Sequence, residues 1–81
     1  MSKKLTDKEV YLIYILIERG YKIGQAVSVL DFGGHTPQDR AYRQTLMRLG
    51  RKGILEQPEP DRMRYIFTDA TLQAYHEALT S

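Results

Sequence analysis

The chain of 81 residues contains no cysteine. A disulfide framework and a thiolate metal site are therefore both excluded. Its longest apolar run, VYLIYILI, has eight residues, far short of the roughly 20 that a membrane-spanning helix needs. The opening MSKKLTDKE has no apolar segment, so no secretory signal is expected and the localisation expected is cytoplasmic, or nucleoid-associated in a prokaryotic or viral setting. Only two histidines occur, His35 and His76, and neither has a second histidine or a cysteine at ligand spacing. No metal and no cofactor is expected. A glycine-rich phosphate loop, a Ser-His-acid set and a plausible carboxylate pair are also missing, so enzymatic activity is not expected. A chain this short makes one domain, 1–81.

Charge is modest in sum and uneven in place. The net charge is +2, yet residues 36–54 carry Arg40, Arg43, Arg48, Arg51 and Lys52 against Asp39 alone, which is +4, and the remainder sums to −2. A basic patch on a near-neutral chain points to a polyanion.

Local signals predict an order of elements. Thr6 and Glu9 form a capping-box pattern with Leu5 and Val10 as a hydrophobic staple, which predicts a helix over about 6–19, ended by Gly20. Ile23, Ala26, Val27 and Leu30 repeat at helical spacing and predict a second helix over about 23–31. Thr36 followed by Pro37 starts a third, over about 36–52. Ile54–Gln57 reads as a strand, Pro58–Asp61 as a turn, and residues 62–67 alternate as a second strand, giving a wing over about 54–67. Thr68-Asp69 begins a last helix, to about residue 80. The expected class is mainly α with a two-stranded β wing (α+β): a winged helix-turn-helix.

LMRLGRKGILEQ followed by DRMRYIFTDA resembles the winged helix-turn-helix transcriptional regulators of the MarR and PadR kind. Leu49, Gly53 and Ile54 match the end of their recognition helix. Arg64, Tyr65, Phe67 and Thr68 match their wing, with Phe in place of the usual leucine. Thr71 stands where many relatives have glycine, and the Asp31–His35 connection is longer than their tight turn. The resemblance covers about residues 6–72 and implies a regulator that inserts its third helix in the major groove and lays its wing on the backbone.

At 100° per residue, Tyr42, Thr45, Leu46 and Leu49 form the inner stripe of the third helix. Arg40, Arg43, Gln44, Met47 and Arg51 share the outer one. Arginine can clamp guanine and glutamine adenine through two-point contacts, so Arg40, Arg43 and Gln44 are the expected readers of base edges. Thr36 and Gln38 are expected near phosphate at the helix start, with capping the stronger role for Thr36. Arg62 and Arg64 on the wing would meet phosphates or an adjacent minor groove.

The first helix is too apolar for a domain of this size, so a homodimer is expected, joined through Tyr11, Leu12, Leu72, Tyr75 and Leu79. The expected partner is double-stranded DNA, without membrane. The alternative is a winged helix used as a protein-interaction module, a subunit or inhibitor of a nucleoprotein complex with a protein partner on the same arginine face. RNA ranks third, because no stacking sheet is visible.

Overall fold

A computed structural model describes residues 4–58 and 64–80. The chain is mainly helical, with three α-helices and a two-stranded antiparallel sheet among the described residues. Helix α1 spans Asp7–Glu18. Thr6 Oγ1 accepts the Glu9 N–H at 3.2 Å, and the Glu9 carboxylate accepts the Thr6 N–H at 2.8 Å. Two of the N–H groups orphaned at the helix start are satisfied in this way.

The helix expected over 23–31 does not form. Ala26–Ser28 is instead a strand, β1, followed by a single 3-10 turn over Val29–Phe32. Of the four residues at helical spacing only Val27 enters the core, whereas Ile23 and Leu30 are 50% and 69% exposed. Tertiary pairing wins over periodicity. The Gly24 N–H donates to the Phe67 carbonyl at 2.7 Å and the Phe67 N–H to the Gln25 carbonyl at 3.0 Å, which commits the segment to a ladder. Ser28 and Asp31 form a second capping box on the 3-10 turn, and Tyr21 fastens it by donating its hydroxyl to Asp31 at 2.6 Å. Burial, then this bond, pushes the Tyr21 phenol up to about 12, so it remains a protonated donor across the physiological range.

Helix α2 spans Pro37–Arg51, capped by Thr36. It runs through Gly50 and closes at Gly53, whose φ of +75° suits a residue without Cβ. The Ile54 N–H reaches the Leu49 carbonyl at 3.0 Å and the Gly53 N–H reaches the Gly50 carbonyl at 3.1 Å, the bonding of a Schellman stop.

Strand β2, Arg64–Ile66, pairs with β1, Val27 lying opposite Tyr65. The expected hairpin between 54–57 and 62–67 is met at one antiparallel bridge, where Glu56 and Ile66 exchange backbone bonds at 3.0 and 2.7 Å. That bridge lies on the edge of β2 away from β1, and β1 is the strand that the sequence did not signal. Ile54 and Leu55 are both buried, so the chain there does not alternate as a strand would. The expected strand residues Arg62 and Met63, and most of the turn before them, lie outside the described residues.

Helix α3 spans Asp69–Thr80. The core joins Leu12, Ile13 and Leu16 of α1 to Leu46 and Leu49 of α2, with Val27, Phe32, Ile54, Leu55, Tyr65 and Phe67 from the connecting segments. Thr71 belongs to this interior. Its hydroxyl donates to the Ile54 carbonyl and accepts the Thr68 N–H at 3.1 Å, tying the turn after α2 to the start of α3. Thr71→Val keeps the shape, strands the Thr68 N–H and leaves the Ile54 carbonyl only the Thr68 hydroxyl at 3.4 Å, so a loss of about 2 kcal/mol is expected in urea denaturation, with Thr71→Ser close to the parent.

Candidate nucleic-acid interface

Helix α2 carries five cations in or at the end of its length, and they divide by what they touch. Arg43 turns back, half-buried, and its Nη1 donates to the carbonyls of Phe32 and, at 2.9 Å, Gly34. The expectation that Arg43 reads a base is therefore corrected: it fastens the connection that leads into α2. Lys52, after the last turn, donates to the Glu9 carboxylate at 2.7 Å and to the Lys4 carbonyl at 3.1 Å. Arg40, Arg48 and Arg51 are exposed, and their guanidinium groups form no ion pair or hydrogen bond with any described residue.

Those three and the exposed Gln44 lie on one side of the helix because they fall at i, i+4, i+8 and i+11 from Arg40. At 1.5 Å per residue the row is about 16 Å long. Met47 lies half-buried among them. Arg48 was missed from the sequence, although its place four residues beyond Gln44 signals it. The acid of the helix is already engaged: Asp39 accepts the Thr36 hydroxyl at 2.6 Å and its N–H donates back to Thr36 Oγ1 at 3.1 Å. Asp39 also lies about 100° round the helix from Arg40, off the row, so the row itself is of one sign.

The other candidates sit elsewhere. Thr36 is a cap. Gln38 donates to the Tyr42 hydroxyl at 2.7 Å, on the side of α2 that faces α1, and so does not join the outward row. Arg64 is exposed on β2, opposite Ser28. Arg62 lies outside the described residues. His35 is exposed in the connection before α2, and His76 sets its ring 5.9 Å from that of Tyr75. Among the described residues no three His, Cys, Asp or Glu side chains gather as a metal would require, and no helix is long and apolar enough to cross a membrane.

The expected dimer face is also redrawn. Leu12 is wholly buried, because it packs into the core with α2, and cannot meet a second copy. Tyr11 and Leu79 are exposed, at 49% and 59%, and Leu72 and Tyr75 are half-buried. Tyr11 lies between Tyr14 and Tyr42, at ring separations of 6.2 and 6.4 Å. The outward side of α1 thus shows two exposed tyrosines, Tyr11 and Tyr14, in a row with the half-buried Tyr42 of α2, and their hydroxyls tolerate water. Glu18 raises the Tyr14 phenol above its ordinary value.

Two recesses open on the outward side of α2. One of about 170 Å³ is lined by Met47, Arg51, Gln57 and Tyr65. Beside it, one of about 280 Å³ is lined by Gln44, Met47, Arg48 and Arg51.

No protein-family model, curated protein or solved structure matches the chain.

Proposed function

We propose that the protein is a double-stranded-DNA-binding regulator of the winged helix-turn-helix kind, with α2 as the helix that enters the major groove. The observation that carries this reading is the row Arg40, Gln44, Arg48, Arg51: three cations without a partner among the described residues and one amide, with no acid among them. Cations left unpaired on one rigid face suit a polyanion, and a groove about 12 Å wide accepts a single helix. Arg40 and Gln44 supply the two-point base contacts, Arg48 and Arg51 the charge. The order helix, strand, 3-10 turn, helix and ribbon is compatible with a winged helix whose second helix is reduced to one turn.

A homodimer belongs to the same proposal, since a single row covers only about five base-pair steps of 3.4 Å and a second copy doubles the reading. The tyrosine row of α1 with Leu79 is the surface available for it.

In binding assays with randomised duplexes, a preferred sequence should emerge. Arg40→Ala and Gln44→Ala should each relax it at one or two positions, by about 1–3 kcal/mol for each base edge no longer read. Equal binding of all sequences by the parent and both variants would contradict base reading.

A further inference from the structure

The two recesses beside α2 have a chemistry of their own. Met47 and Arg51 line both, so the recesses meet along one edge. No acidic side chain among the described residues lines either. Arg48 and Arg51 are one helical turn apart, and neither is paired with a described residue. The smaller recess is a true notch between two elements: the helix supplies Arg51 and Met47, the chain leading into the ribbon supplies Gln57, and the buried Tyr65 lies beneath. Tyr65 belongs to the core and Met47 packs against it, so the guanidinium works over a fixed floor.

An arginine fork beside an amide donor matches the oxygens of a tetrahedral anion. Two cationic recesses that share one arginine suit a chain of anions better than a single one. We infer that the notch is a seat for one phosphodiester group of a nucleic-acid strand, held by Arg51 and Gln57, with Arg48 at the neighbouring linkage. The inference rests on the DNA-binding reading and divides the labour within it. The C-terminal half of α2 grips backbone, and sequence is read by Arg40 and Gln44 alone.

The test uses duplexes in which one linkage at a time is an uncharged methylphosphonate, titrated against the parent chain and Arg51→Ala. Neutralising one or two adjacent linkages should weaken the parent about tenfold, and Arg51→Ala should lose nothing further at those linkages. The log–log salt slope of the variant should be shallower by about 0.9, with sequence preference unchanged. Additive losses at every linkage would overturn the seat while leaving duplex binding in place.

An amide NMR titration with a thymidine dinucleotide decides the matter independently of duplex affinity. Saturable shifts at Met47, Arg51 and Gln57 that vanish in Arg51→Ala support the seat. Absence of shifts, or equal saturation by inorganic phosphate together with indifference to methylphosphonates, overturns it.

Discussion

Lys52→Met is expected to cost about 3 kcal/mol of stability at pH 7, near the lower end of what removing one member of a buried ion pair costs. Glu9 is buried, whereas the Lys52 side chain is one-third exposed, at 33%, which places the loss at that lower end. In the parent, burial pushes the Glu9 carboxyl up, and the bonds from Lys52 and Thr6 outweigh it, so the net shift is downward from 4.5. A carboxyl with a depressed folded-state value contributes stability above its unfolded value and loses it as pH falls through the folded one. The parent should therefore weaken below about pH 4.5.

In Lys52→Met the burial remains with only the Thr6 bonds against it, so the Glu9 value should rise relative to the parent. The deficit of the variant should then shrink as pH drops and Glu9 protonates. Glu9 Oε2 has no hydrogen-bond partner among the described residues, which leaves the charge the more dependent on Lys52. Adding Glu9→Gln, which keeps the acceptor for the Thr6 N–H, should restore most of the loss. Urea midpoints from pH 3 to 7 for the parent, both single variants and the double variant decide it. A pH-independent deficit in Lys52→Met would show that only packing was lost.

Gly50→Ala is the second large effect, and its sign opposes helix propensity. In an open helix the change would gain about 1 kcal/mol. Here a Cβ at position 50 would run into Cε1 and Cδ1 of the Tyr65 ring, which is itself buried and cannot swing away. Overpacking costs about 1–3 kcal/mol, occasionally more, so a net loss of about 2 kcal/mol and a fall in Tm of roughly 10 °C are expected. Tyr65→Leu introduced together with Gly50→Ala should cost less than the sum of the two single changes, because the clash is then relieved. A Tm at or above the parent in Gly50→Ala would mean that the ribbon does not lie on α2 at this point.

Gly50 also illustrates what can be read along the chain and what cannot. In the sequence it is only an awkward glycine inside a helix; its reason stands fifteen residues away in the ribbon. Signals confined to a few neighbours carried well: the Thr6–Glu9 box, Thr36 before Pro37, the stop at Gly53 and the inner stripe Thr45, Leu46 and Leu49 all rest on contacts within one or two turns. Signals that depend on a distant partner did not. Val27 has the spacing of a helix face, but the backbone around it is claimed by Tyr65 and Phe67. Arg43 has the angle of a reader, but the carbonyls of Phe32 and Gly34, eleven and nine residues back, take its guanidinium. Lys52 suits a helix end on charge alone, and its main partner lies 43 residues earlier. Of the arginine face, the part that is visible by angle and has no tertiary competitor among the described residues, Arg40, Gln44 and Arg51, keeps its outward place.

The unpaired row on α2 is proposed to face a polyanionic duplex. Fluorescence anisotropy of a labelled duplex against the parent chain and Arg40→Ala/Arg48→Ala/Arg51→Ala, over a series of salt concentrations, tests it most directly. The parent should bind with a steep negative log–log salt dependence, and the triple variant should be shallower by about 2, one step for each of the two phosphates that Arg48 and Arg51 no longer neutralise, with sequence preference lost through Arg40. Weak binding with the same flat slope in both proteins would contradict the claim and turn the arginine face over to a protein partner.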